Sequence, residues 1–341
     1  MKRTTIRDLA KMLQLSPSTI SRALSDHPDI STKTKQRVKE TAANFNYSVN
    51  LHSSFFRNKK SNLIALIISE INMFYTPSMI NAINDYLYRT DYSLFVFISN
   101  DKLKRERVIV EQCIKWAVEG VLISPSGETR NLDHLKPLQL AGIETVVLDK
   151  IVRNSKISSV SINNISAASS AVQYLLDKGH KYILGLFGNP SMSITEERIA
   201  GFKLAQENHH GEWRSEDIIT VVNIAELDSI LPVILKHNTS TSAIFCMSDE
   251  ILAKVHFHLM SSGKRIPEDI SLIAISDGSF PLLTFPKTTH IKDSGRKMGK
   301  KACKLLVDQI NTEDSEVIHF ELETKLVELD SIENIKNKKN D

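Results

Sequence analysis

Two sets of side chains in this 341-residue chain have the types and spacing to do chemistry. The first lies at positions 16–22, where Ser18, Thr19, Ser21 and Arg22 follow Ser16-Pro17. Short hydroxyls beside one long cation suit hydrogen bonds to phosphates and base edges, and Arg22 can bond guanine O6 and N7 together. The second set is dispersed. Ser69-Glu70, Asp149, Ser248-Asp249 and Asp277 each come at the end of an apolar run. Carboxylates so placed can accept from neighbouring hydroxyls, which is the chemistry of a polyhydroxylated ligand. No Walker A sequence, His-Glu-x-x-His or Gly-x-Ser-x-Gly is present, and His209-His210 lack a third ligand. No catalytic residue, cofactor or metal site is therefore assigned.

The first set needs helices to present it. Ile6, Leu9, Ala10 and Leu13 fall at helical spacing, with Thr4 or Thr5 available as N-cap. After the break at Gln14-Leu15, Ser16 caps a second helix with Pro17 at its first position, burying Ile20, Ala23 and Leu24. Two short helices around a tight turn, the second with a hydrogen-bonding outer face, make a helix-turn-helix. Ser31 caps a third helix, Thr32 to Phe45, with Val38, Ala42 and Phe45 as its packing stripe and Tyr47 beneath the bundle. Charge agrees: residues 1–60 hold twelve Lys and Arg against four acids, a net +8, on a chain of only +3. Duplex DNA attracts such a head and is indifferent to the mildly acidic remainder.

The second set needs a parallel sheet. Apolar runs at Leu63–Ile68, Ser93–Ile98, Gly120–Ser124, Thr145–Leu148, Val160–Ile162, Tyr182–Phe187, Ile218–Val222, Ala243–Met247 and Ser271–Ile275 alternate with helical stretches. The stretches include Met79–Arg89, Glu106–Ala117, Ala167–Lys178, Glu197–Glu207 and Ile251–Ser262. Strand–helix alternation predicts parallel sheets wrapped by helices, with ligands beyond the carboxyl ends of the strands. Cys113, Cys246 and Cys303 lie apart in apolar or helical stretches and read as buried, reduced thiols.

The run Thr4-Thr5-Ile6-Arg7-Asp8-Leu9-Ala10, then Ser16-Pro17-Ser18-Thr19-Ile20-Ser21-Arg22-Ala23-Leu24 and Asp29-Ile30-Ser31, resembles the headpiece of the LacI/GalR family of bacterial transcription regulators. The resemblance extends over nearly the whole chain. It implies an all-α helix-turn-helix headpiece (1–48), a hinge helix or linker (49–61) and a two-lobed α/β effector domain like periplasmic binding proteins (62–330). Lobe crossovers are expected near Ser161, Thr289 and Phe320, with a late run, Val317–Leu329, returning a strand to the second lobe. Residues 331–341 read as a disordered tail.

In that scheme Pro17 and Ser18 stand at base-reading positions, while Thr5, Thr19, Ser21 and Asn50 hold phosphates. Phe56 takes the place of the apolar hinge wedge that enters the minor groove. Arg198, with Gly201-Phe202 behind it, matches a motif whose Arg reaches the effector. Asp149 and Asp277 fall at cleft positions, Ser248 stands where many members have Asn, and Phe74 and Tyr75 lie in the first ligand loop. Two departures stand out. Asp293-Ser294 replace the usual Gln-Pro before Met298-Gly299, and Gln14 stands at a turn where many members carry Gly or Asn, so that a positive φ there would cost strain.

The expected partners are operator DNA, a second copy of the chain and a small effector, a sugar by family weight with purines and nucleosides open. The alternative keeps the DNA-binding head and gives the lobes a protein partner or no effector. For every short polar residue named, the competing role is helix capping or solvent exposure. Without a signal-peptide core or a membrane-length run, the chain is expected to be cytoplasmic. The charged end lacks heptads, which predicts a dimer built on the lobes.

Overall fold

The computed structural model describes residues 4–45, 47, 61–71, 74–151, 155–209, 213–237, 240–312 and 316–336. Two compact units divide at Ser61 and Asn62.

The first unit is a three-helix bundle: α1 (Ile6–Leu13), α2 (Pro17–Leu24) and α3 (Thr32–Asn44). Each helix begins where a side chain satisfies its first amides. Thr5 and Asp8 form a capping box, with the Asp8 amide donating to Thr5 Oγ1 at 3.3 Å and the Thr5 amide to Asp8 Oδ2 at 2.9 Å. Ser16 accepts from the Thr19 amide at 3.0 Å and Ser31 from that of Thr34 at 3.3 Å. Gln14 ends α1 at φ 55°, a left-handed turn in a residue that is not glycine. Leu9, Ala10, Leu13, Ile20, Ala23, Val38 and Ala42 fill the core, with Tyr47 packed against it. Phe45 is not part of that stripe. It is the C-cap of α3, has left helical register, and is 49% exposed.

The second unit holds two lobes, each a six-stranded sheet. In chain order come β1 (Leu63–Ile68), α4 (Tyr75–Leu87), β2 (Ser93–Ile98), α5 (Leu103–Lys115), β3 (Gly120–Ile123), α6 (Lys136–Leu140), β4 (Glu144–Leu148) and β5 (Ser158–Ile162). Then follow α7 (Asn164–Asp177), β6 (Ile183–Phe187), α8 (Ser193–Asn208), β7 (Ile218–Thr220), α9 (Leu227–His237), β8 (Ala243–Cys246), α10 (Asp249–Ser261), β9 (Ser271–Ser276) and β10 (Thr289–Lys292). The chain closes with α11 (Gly295–Ile310), β11 (His319–Leu322) and β12 (Lys325–Val327). The sheet orders are β11-β5-β4-β3-β1-β2 and β12-β10-β9-β8-β6-β7. Every pairing is parallel except β10 with β12.

The chain changes sheet three times: between β5 and α7, between β10 and α11, and between β11 and β12. The run 317–329 does not form one returning strand. It divides, adding β11 to the first sheet and β12 to the second, with Glu323 and Thr324 between. Helix α11 packs on α4 and on β3, β4 and β5. Its glycines permit that approach, since a Cβ on Gly299 would lie 2.5 Å from the Met79 carbonyl oxygen. Helices α7 and α8 pack equally closely, with Gly201 facing the Ile165 carbonyl.

Residues 331–336, expected to be disordered, pack on the second lobe instead. Ser331 is fully buried, its hydroxyl bonded to the Leu272 carbonyl and the Thr289 amide. The Glu333 carbonyl meets His180 Nε2 at 3.0 Å, and the Ile335 amide donates to the Lys178 carbonyl at 3.0 Å. These backbone bonds and the packed Ile332 hold residues 331–336 on the second lobe; 337–341 lie outside the described residues. The three cysteines are free and buried, and burial pushes the Cys113 and Cys303 thiols up to about 12.

Candidate functional site

Helix α2 exposes Pro17, Ser18 and Arg22 and half-buries Thr19 and Ser21. Much of this polar face is already engaged locally. Ser16 Oγ lies 2.7 Å from Ser18 Oγ and 2.8 Å from Thr19 Oγ1, while Thr5 Oγ1 donates to Asp8 Oδ2 at 2.6 Å. Capping therefore occupies Thr5. Asn50 and Phe56 lie outside the described residues.

Between the lobes, beyond the carboxyl ends of both sheets, lies a cavity of about 630 Å³. Parallel strands aim their ends in one direction, so residues distant in sequence converge there. Tyr75, Asp149, Arg198, Ser248 and Asp277 all line it. Phe74 does not: its ring stacks on Phe280 with centroids 5.0 Å apart, and its amide donates to Glu250 Oε1 at 3.2 Å. Those partners belong to the second lobe, so Phe74 joins the lobes beside the cavity, with 39% of its surface exposed.

Arg198 is the most heavily bonded of the lining side chains. Only 5% exposed, it donates through Nε to Asn164 Oδ1 at 3.0 Å, through Nη1 to the Met247 carbonyl, and through Nη2 to Asp293 Oδ2 at 3.5 Å. It thereby ties the start of α7, the end of β8 and the end of β10 together.

Asp149 follows β4 at φ 67° and accepts from Ser124 Oγ at 3.3 Å. Burial raises its pKa, against the opposing pull of Lys150 and Arg198. Asp277 Oδ1 accepts from the Gly295 amide at 2.8 Å, and the Asp277 amide donates to Asp249 Oδ2 at 3.2 Å. Ser248 caps α10, accepting from the Ile251 amide at 3.5 Å. Asp277 and Ser248 thus cap helices and line the cavity at once.

Asp293 is the residue that the strand-end pattern missed. It lines the cavity at 5% exposure, pairs with Arg198, and has its pKa raised to about 7, chiefly by burial. The signal was present: Asp293 directly follows a strand, as Asp149 and Asp277 do. That strand, Thr289-His290-Ile291-Lys292, is too polar and short to register as an apolar run. Asp249, 4% exposed, is likewise pushed up to about 7 by burial. Met79, Met192, Ile194, Val221, Ile224 and Met247 supply apolar wall. The cavity is thus rich in hydrogen-bond acceptors set against apolar surface, an arrangement that orients and holds a small polar molecule.

The model of the periplasmic binding proteins and sugar binding domain of LacI family matches residues 61–327. The model of bacterial regulatory proteins, lacI family, matches residues 5–50. The chain belongs to the LacI family. Its α1–α3 bundle is the DNA-binding helix-turn-helix of that family, and its two lobes are the family's ligand-binding domain.

Curated LacI-family relatives match along almost their whole length. The ribose operon repressor of Halalkalibacterium halodurans is 25% identical over 99% of this chain and 99% of its own. The HTH-type transcriptional repressor PurR of Vibrio atlanticus is 23% identical over 97% and 99%. The crystal structure of the lac repressor dimer bound to operator and the anti-inducer ONPF shares the fold. Its TM-score is 0.84 at 20% identity, covering 97% of this chain and 100% of that one. No helix among the described residues is long and apolar enough to cross a membrane.

Proposed function

We propose that this LacI-family regulator is a cytoplasmic, non-enzymatic repressor that binds a pseudo-palindromic operator as a dimer and is controlled by a small effector in the interlobe cavity. The named relatives are repressors, and the family's second domain is described as sugar-binding, which favours a sugar as effector. On the DNA side, Arg22 reads a guanine, Pro17 and Ser18 meet neighbouring base edges, and Thr19 and Ser21 hold phosphates. Thr5 contributes through the capped amide end of α1, and Asn50 and Phe56 act at the hinge, Phe56 as a minor-groove wedge.

The observation that carries the effector reading is Arg198. Buried at the cavity wall and bonded to Asn164, Met247 and Asp293, it ties together the second-lobe elements that adjoin two of the chain crossovers. A ligand that binds one lobe arrangement better than the other shifts the equilibrium between them, and with it operator affinity. Asp149 and Asp277 accept ligand hydroxyls, Ser248 adds a short contact, and Tyr75 presents its ring and hydroxyl, with Phe74 joining the lobes beside them.

The test is thermal unfolding against sugars, sugar phosphates, nucleosides and purines. A ligand at 100 times its dissociation constant adds roughly 2.7 kcal/mol of stability. A compound that raises the midpoint of the wild type, but not of R198A or D149N, supports the reading. A panel without any such compound counts against it.

A further inference from the structure

The cavity holds far more carboxyl groups than cations. Seven carboxyl groups line it against two cations, Lys150 and Arg198. Both cations are committed already. Lys150 Nζ donates to Ser69 Oγ at 2.8 Å and lies 3.7 Å from Asp101, while every guanidinium nitrogen of Arg198 has a protein acceptor.

Four aspartates converge on the cavity: Asp149, Asp249, Asp277 and Asp293. Asp149, Asp249 and Asp277 all bear electrostatically on Asp293. Three of the four are held by uncharged protein donors, Asp149 by the Ser124 hydroxyl at 3.3 Å. Asp249 takes the Asp277 amide and the Ser276 hydroxyl, and Asp277 takes the Gly295 amide. Asp293 has Arg198 as its single donor among the described residues, and its Oδ1, like Asp249 Oδ1, is buried and accepts no hydrogen bond from any of them. The Tyr75 hydroxyl, buried at the same wall, is also without a partner.

A buried carboxylate oxygen with nothing to accept is costly, and more so among like charges. A neutral polyol repairs the hydrogen bonding but not the charge. A protonated amine repairs both, since it brings one positive charge and three N–H donors. We propose that the effector is a hydroxylated amine of amino-sugar type, with its ammonium at Asp293 Oδ1 between Asp149 and Asp277 and its hydroxyls on the remaining acceptors. The inference rests on the effector reading above and specifies its ligand class.

Isothermal titration of the full-length protein at neutral pH with matched compounds tests it. One set is D-glucosamine, D-galactosamine and D-mannosamine. The second is the parent hexoses, which lack the nitrogen. The third is the N-acetyl derivatives, which keep the nitrogen and lose the charge. The expected result is an amine that binds at least ten-fold more tightly than both of its neutral counterparts. D293N, and independently D249N, should shrink that preference to within about two-fold. A neutral sugar binding as well as its amine overturns the proposal while leaving the effector site standing. An amine preference that survives in both variants also overturns it. Silence from every compound, charged and neutral, overturns this inference, while the wider thermal panel decides the effector reading separately.

Discussion

Asp249 and Asp293 are acids held where water cannot easily reach them, and that has a measurable cost to the free protein. Burial lifts each pKa from 3.8 to about 7. For a carboxyl group whose folded pKa is raised, the stability contribution is complete below the unfolded value, here about 3.8. It is lost as pH rises through the folded value. The unliganded protein should therefore lose stability between about pH 4 and pH 7 through these two groups. Asp249 is the cleaner test, because no cation contributes to its shift and Asn can still accept the Asp277 amide. D249N is expected to unfold at a higher temperature than wild type at pH 8, by an amount on the order of a few kcal/mol in stability. The gain should shrink towards zero at pH 4.5. Scanning calorimetry at the two pH values checks this, and a variant less stable at pH 8 sinks it.

Elements here are set by close approach as much as by propensity. Gly201 sits mid-helix in α8, where glycine costs about 1 kcal/mol relative to alanine. It is there because a Cβ would come within 2.2 Å of the Ile165 carbonyl oxygen and 2.9 Å of the Ala168 Cβ. The first of these obstacles is backbone, so α7 and α8 would have to move apart. G201A is expected to destabilise the effector unit by roughly 1–3 kcal/mol despite its better helix propensity. Urea unfolding followed by circular dichroism measures it, and a stabilised variant would show that propensity outweighs the contact. The same contest hides α11 from periodicity. Glycines at 295 and 299 weaken it as an isolated helix, while the Tyr75 and Met79 carbonyls of α4 leave no room for larger residues.

At the scale of the whole molecule, three chain segments join the lobes, and a few side-chain contacts bridge the cavity rim. Phe74 on Phe280, together with the Phe74 amide on Glu250, is such a bridge. An aromatic pair contributes about 0.5–1.5 kcal/mol beyond its burial. It exists only when the lobes are together, so its loss should disfavour closure by that amount. F280A is expected to weaken effector binding by about two- to ten-fold without changing which compounds bind. Calorimetric titration with the effector found in the thermal screen decides it. Unchanged affinity would mean that the ring pair does not report on lobe closure.

The sequence by itself determined what local chemistry controls. Ser16-Pro17 and Ser31 specify helix starts, and Thr4 or Thr5 offers a third, which the structure assigns to Thr5, because caps act within four residues. Gln14 stands at a turn where the resemblance implies Gly or Asn in many members, and its φ is 55°. Long apolar runs such as Leu63–Ile68 declare buried parallel strands. Tertiary structure decided whatever depends on partners far along the chain. That Asp293 joins Asp149, Asp249 and Asp277 at one cavity follows from how two sheets face each other, and its short polar strand does not register as an apolar run. Phe74 turned to Phe280, 206 positions away, and the stretch at 331–336 found partners in the Ser271 hydroxyl and the Lys178 carbonyl. Residue type states what a side chain can do, but only packing across the crossovers sets what it meets.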